Sequence, residues 1–251
     1  MSALDLYRLD RRSLQLPRYE RQDLGTVIRH VPRDPGIDGI VLFADLPESD
    51  VDGEIRRQVD YFGSQGLGFE WKVYGADHPA DLHQRLEAAG FVPGDQEFLL
   101  VHDLGRPAAH DELTGGDFEI RELDDPSQLA QIVPLQEQIW SRTFDWLESH
   151  LRAMWSYTTF YVAYAGTDPI GSAYIEFPAG SEFAELHGGG VLPAYRGRGI
   201  YSRLFDARMH EARRRGIPFV AADAAPMSCP ILQKKGFDTL DFSYPMVWTH
   251  R

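Results

Sequence analysis

VLPAYRGRGIYSRLF, residues 191–205, sets two glycines among two arginines where an apolar strand pattern gives way to a helical one. Gly197 and Gly199 open backbone turns that side chains with a Cβ resist. Several N–H groups, the positive end of a helix dipole and the guanidinium groups of Arg196 and Arg198 then converge on one spot. Such a cradle suits an anion, and a diphosphate is its natural occupant. The same four residues would also make an ordinary solvated turn, so the flanking sequence has to decide.

Upstream, FAELHGGGV (183–191) reads as a strand with three glycines near its end, a place for a bulge or a close backbone approach. Downstream, Ile200, Leu204, Phe205, Met209 and Ala212 line one side of a helix that Gly216 ends. FVAAD then gives a strand, residues 228–235 a short helix stopped by Gly236, and PMVWT a last strand. Working backwards, FYVAYA and PIGSAYIEF form a hairpin about Gly166-Thr167-Asp168. Residues 143–155 carry Trp146, Leu147, Leu151 and Met154 at the period of one buried helix face. DDPSQLAQIV opens an earlier helix, which Pro134 should break or kink, after the strand FEIREL (118–123). The order β-α-α-β-β-β-α-β-α-β predicts an α/β fold with a mixed sheet.

GRPAAHDELTGGD has no apolar period, and divides the chain into 1–105, a linker at 106–117, and 118–251. The first part echoes the end of the second. A helix over 54–65 stops at Gly66, a strand starts at Phe69, and a helix over 80–89 stops at Gly90-Phe91 before the strand FLLVH. In the second part Gly216 precedes the strand at Phe219 by the same three residues, and Gly236-Phe237 precede the last strand. This pattern is an internal duplication. The first copy has nothing like RGRG, and its expected role is to complete or support the other.

Composition narrows the function. With 25 Lys and Arg against 38 Asp and Glu, a net charge of −13, the chain is ill suited to binding a phosphate backbone, so no nucleic-acid partner is expected. A cationic or amine ligand fits that field. The sequence shows no run of the ~20 apolar residues that crossing a membrane requires, no apolar leader, and one cysteine, Cys229, which together predict a cytoplasmic protein without a membrane partner. No GK[ST] loop, G-x-S-x-G elbow, Cys-x-x-Cys or H-x-x-x-H occurs, so hydrolase and metal chemistry lose support and no metal is expected.

With its flanking elements, Arg196-Gly197-Arg198-Gly199, preceded by Val191 and Pro193 and followed by Leu204, resembles the acetyl-CoA signature of the GNAT superfamily of N-acetyltransferases. That signature runs from the fourth strand into the next helix. Ala194 stands where the pattern prefers Gln or Arg. Gly236-Phe237 match the close of the family's following short helix, whereas Ala225 and Leu232 occupy its usual Asn and Tyr positions. The resemblance covers 183–237, and the element order extends it over 118–251. The first part resembles only the family's latter portion, as in tandem members where one copy has lost its cofactor site. The resemblance thus implies two tandem GNAT-like domains, the N-terminal one degenerate.

It also implies roles. Acetyl-CoA would be the co-substrate, its pantetheine aligned by the backbone at Val191 and Leu192 beside Pro193. Its pyrophosphate would be held by Arg196, Gly197, Arg198, Gly199, Ile200, Tyr201 and Ser202. Glu185 matches a catalytic glutamate of the histone acetyltransferase branch in a similar F-A-E context. His187, two residues on, shares its strand face, and an imidazole's unperturbed pKa near ~6.5 suits base chemistry. A solvent-facing or salt-bridged carboxylate remains the alternative for Glu185, and a packed polar residue for His187. The acceptor would be a primary amine of a small molecule or peptide, near Trp140, Phe144, Asp145, Trp146, Glu148, Trp155, Tyr157 and Tyr161, and a homodimer is admitted. Leu232 leaves the acid that protonates the departing thiol open, with Cys229, Ser228 or Tyr244 as substitutes. An acyl-CoA-binding protein without turnover, and an acyltransferase for another nucleophile or acyl chain, are the alternative readings.

Overall fold

A computed structural model describes residues 1–106 and 117–250, so all but the end residues of the expected linker lie outside the described residues. Contacts divide the chain into two units, Met1–Val101 with Asp223–Arg251, and His102–Ala222. The sequence division had placed 223–251 with the second part.

The first unit starts with α1 (Ala3–Ser13), β1 (Tyr19–Asp23), β2 (Val27–Pro32) and β3 (Gly39–Ala44). It continues through α2 (Val51–Ser64), β4 (Phe69–Tyr74), α3 (Leu82–Ala88), the two-residue β5 (Val92–Pro93) and β6 (Glu97–Asp103). The second contains β7 (Glu119–Glu122), α4 (Ile132–Trp140), α5 (Leu147–Met154), β8 (Thr158–Ala165), β9 (Asp168–Glu176), β10 (Phe183–Val191), α6 (Ile200–Arg214) and β11 (Phe219–Ala224). After it, α7 (Cys229–Lys234) and β12 (Asp238–Trp248) belong to the first unit, where β12 pairs antiparallel with both β4 and β6. Those partners explain why contacts and sequence order divide the chain differently.

Each unit holds a mixed sheet. In the second, β7 to β10 pair antiparallel in succession and β10 pairs parallel with β11. In the first, β1, β2 and β3 pair antiparallel and β3 pairs parallel with β4. The likeness of the halves therefore reaches further back than the sequence suggested. It includes three strands before α2 as well as the elements that follow.

Helix α6 runs as its apolar period predicts, with Ile200, Leu204, Phe205, Met209 and Ala212 buried, and Gly216 ends it at φ 72°. Two expectations need correction nearby. The helix opened by DDPSQLAQIV is a 3-10 turn over Pro126–Gln131 that gives way to α4 at Ile132, so the change falls just ahead of Pro134, which sits third in α4, in the turn whose N–H groups have no intrahelical acceptor to lose. Trp146 precedes α5 and is 56% exposed, while Leu147, Leu151 and Met154 pack against Leu129, Ile132, Phe160 and Val162. No helix among the described residues is long and apolar enough to cross a membrane.

Candidate active site

The site grows from the way β10 is paired. Its parallel pairing with β11 covers only Phe183 to Glu185, matched to Phe219 to Ala221, although β10 runs on to Val191. On the other side its pairing with β9 shifts between His187 and Gly190, so Gly188 and Gly189 face the single residue Ala173. That is a β-bulge, which re-aims the backbone and interrupts the ladder. Gly188 has φ 58°, and a Cβ there would lie 2.3 Å from the Tyr174 ring, so the bulge requires glycine on both counts.

Two helices hold the bulge. From α4, buried Gln136 donates through Nε2 to the Gly188 carbonyl and to Ser172 Oγ, each at 2.8 Å, and the Trp140 indole N–H donates to its Oε1 at 2.7 Å. From α6, Arg208 donates through Nη1 to the His187 carbonyl at 3.5 Å, with its Nη2 3.5 Å from where a Gly189 Cβ would stand.

Beyond the strand, the loop holds the expected cradle. Gly197 and Gly199 have φ 76° and 80°, and Gly199 is the N-cap of α6 with no side chain capping it. The first N–H groups of α6 therefore point out of the helix with only its dipole behind them. Arg196 turns back to donate to the Val191 carbonyl at 3.1 Å, and Arg198 to that of Ala194 at 3.2 Å, over the Tyr195 ring. The Leu192 N–H is committed to Ile170 at 2.9 Å. Of the backbone expected to align pantetheine, the Val191 carbonyl and Leu192 N–H thus already have partners. The ladder between β10 and β11 ends at Glu185, before the bulge.

Glu185 and His187 come together on the face that carries Tyr174. His187 Nε2 is 3.3 Å from Glu185 Oε2, and its ring stacks on Tyr174 with centroids 5.7 Å apart. A third group joins them. Glu176, the register partner of Glu185 on β9, puts Oε1 3.6 Å from the same nitrogen. Burial raises the Glu176 carboxyl above its ordinary range, the Glu185 charge adds to the rise, and His187 opposes it. Burial likewise raises the Tyr174 phenol. No cluster of three metal-ligating side chains occurs among the described residues.

Residues 124–237 match the Acetyltransferase (GNAT) family. These residues are a GNAT acetyltransferase domain. Acyl transfer is the chemistry of that family, and the chain is an acyltransferase. No curated protein matches the chain. Among solved structures, a GCN5-related N-acetyltransferase from Kribbella flavida is 10% identical over 91% of this chain and 89% of its own, with a TM-score of 0.71. A GCN5-related N-acetyltransferase from Sphaerobacter thermophilus is 14% identical over 90% and 77%, with a TM-score of 0.63. A tandem GNAT protein from the clavulanic acid biosynthesis pathway is 14% identical over 90% and 78%, with a TM-score of 0.59. At these identities the likeness is one of fold.

In the GNAT domain the expected loop residues gather at the start of α6, and the expected pair Glu185 and His187 share one cluster. Glu176 and Gln136 were missed. Glu176 reads in sequence as the end of a strand, and only the β9–β10 register sets it opposite Glu185. The short stretch GSAYIE facing FAELH in a hairpin meander was the signal available, but it cannot locate the bulge. Ser228, Cys229, Leu232 and Tyr244 lie in the unit of α7 and β12. There Leu232 is buried, Cys229 is buried beside the Thr239 hydroxyl, and Tyr244 stacks on His83.

Proposed function

We propose that the GNAT domain transfers the acetyl group of acetyl-CoA to a primary amine of a small molecule or peptide by direct attack on the thioester. The observation that carries this reading is where β10 parts from β11, after Glu185. A strand that leaves its neighbour after three residues, bulges and leads into a glycine turn offers an extended ligand backbone hydrogen bonds, then an anion site. The residues fit acetyl-CoA on both counts. Leu186 to Gly190 would align its pantetheine, and the uncapped turn 196–202 would hold its pyrophosphate.

In this reading Glu185 accepts the ammonium proton, with His187 3.3 Å away to share it and Glu176 opposite to stabilise the imidazolium. Three such groups on one face also favour a cationic amine over an anion. Trp140, half-exposed and one hydrogen bond from Gln136, supplies an aromatic wall at the same place. Neither nucleic acid nor membrane enters this reading, and the location we propose is the cytoplasm.

An amine panel followed by free-thiol release tests the reading. Glu185→Gln should lower kcat by ~10² to 10⁴-fold with acetyl-CoA affinity nearly unchanged, because the amide keeps the shape and loses only the basicity. If His187 is the base, that loss should follow His187→Gln. Since burial raises Glu176, it takes up a proton before an exposed carboxylate does as pH falls. The acidic limb of kcat/KM should therefore lie above the usual carboxylate range and move down in Glu176→Gln. Parent turnover in all three variants would overturn the assignment. Leu232, buried where the family usually has an acid, favours a second reading, an acyl-CoA-binding protein without turnover. Binding of acetyl-CoA with no thiol release across the panel would select it.

A further inference from the structure

The β10 bulge is held from both faces of its sheet, and the reaction proposed above does not by itself explain why. Gln136 has three of its amide's four hydrogen-bonding directions filled. Its NH2 group meets the Gly188 carbonyl and Ser172, and its oxygen receives the Trp140 indole N–H. The indole has no acceptor, so this bond fixes which end of the amide faces the bulge. On the other face Arg208 is 2% exposed, and no carboxylate pairs with it among the described residues. Its guanidinium reaches the Leu204 and His187 carbonyls and the Tyr201 side chain, and Nη2 has no hydrogen-bond partner. Burying a cation without a counter-charge costs several kcal/mol. A function that uses the charge accounts for such a group better than packing does.

The first unit repeats part of the device. There β3 also bulges, at Leu42 between its pairings with Ile28 and Arg29, and Arg11 of α1 donates to the Leu42 carbonyl at 3.0 Å. A helix side chain gripping a bulge carbonyl is thus a feature of both halves. In the first unit the chain returns beside the end of β3, where Asp45 bridges to His78.

We propose that Gln136 and Arg208 are positioning residues for the thioester, holding the His187–Gly189 backbone in the one shape that presents it to the acyl carbonyl. Arg208 adds an uncompensated positive charge behind the strand on which negative charge develops during transfer. This proposal rests on the acetyl-CoA reading and adds to it two residues outside the cradle and the proton-transfer cluster.

Isotope-edited infrared spectroscopy of acetyl-CoA labelled with ¹³C at the thioester carbonyl tests it without a known acceptor. In the parent the bound carbonyl band should lie below that of free acetyl-CoA, because polarisation weakens the C=O bond. Gln136→Glu, which keeps size and loses the NH2 donor, and Arg208→Met should return the band toward the free value, with affinity within ~3-fold because the cradle is intact. Arg208→Lys should keep part of the shift. Once an acceptor is in hand, each loss variant should lower kcat by ~10 to 100-fold, less than the ~10² to 10³-fold of removing an oxyanion donor itself. A bound parent band at the free position, or variants with the parent's band, would overturn the proposal and leave the cofactor reading standing. No binding by the folded parent would remove both.

Discussion

Strands β3 and β10 begin alike and end differently. Each is matched to its parallel neighbour over three residues, Gly39 to Val41 with Phe69 to Trp71 and Phe183 to Glu185 with Phe219 to Ala221, and each then bulges. In the first unit the chain itself takes up the position beside the strand. The N–H of Leu46 donates to the His78 carbonyl, Asp45 bridges to His78, and Asp77 is buried with its carboxylate on the Tyr74 N–H and on Arg11. The helix that follows has Asp52 and Glu54 in its first turn, where α6 has no acid. A ligand would find its hydrogen bonds already made and its phosphates facing carboxylates. The difference teaches that the two units differ by more than RGRG: beside β3 a turn and a buried ion pair stand where β10 parts from its neighbour.

If the filled cleft is a structural element, breaking it should have the largest effect on stability. Arg11→Met leaves the buried Asp77 carboxylate without its cation, and should destabilise the first unit by ~3 to 5 kcal/mol in denaturant unfolding. A change below ~1 kcal/mol would mean that the ion pair is incidental. Removing both cradle cations, in Arg196→Ala with Arg198→Ala, should weaken acetyl-CoA binding by ~10-fold in calorimetry. A charge-assisted hydrogen bond contributes ~1.5 to 3 kcal/mol when made, and both groups must first leave the carbonyls of Val191 and Ala194. The parent should bind one equivalent per chain, and a second would show that the first unit is also a working site. Asp52→Asn should do least. Its carboxylate is exposed at the start of α2, so stability should change by less than ~1 kcal/mol and no second equivalent should appear. A gained equivalent would mean that charge alone closed the first cleft.

What the sequence disclosed follows from the range of the forces involved. Helix α6 was legible because its apolar period, Gly199 and Gly216 are local signals, and β10 because its three glycines are. Strand β1, YERQD, has no buried face to give it an alternating pattern, so nothing in it announced a sheet that repeats the second. Trp146 fell on the helical period yet lies before the first turn of α5, where the period no longer decides burial. The partnership of Glu176 with His187 depends on a register that one inserted residue resets. The placement of β12 was hidden for the same reason. PMVWT is recognisably a strand, but which strands flank it is settled by residues more than a hundred positions away.

That placement bears on how the molecule is made. Strand β12, the last element described, lies between β4 and β6 in the first unit. A nascent chain emerging from the ribosome has therefore built every other described strand before the interior of the first unit's sheet can close. Until residues 238–248 arrive, β4 and β6 each present a bare hydrogen-bonding edge, the kind that recruits other chains. A stop codon or a protease acting near residue 237 would spare every residue of the cradle and the proton-transfer cluster, yet leave a protein with two open edges in its other half. The integrity of β12, rather than of any residue near the cradle, is here a condition for solubility.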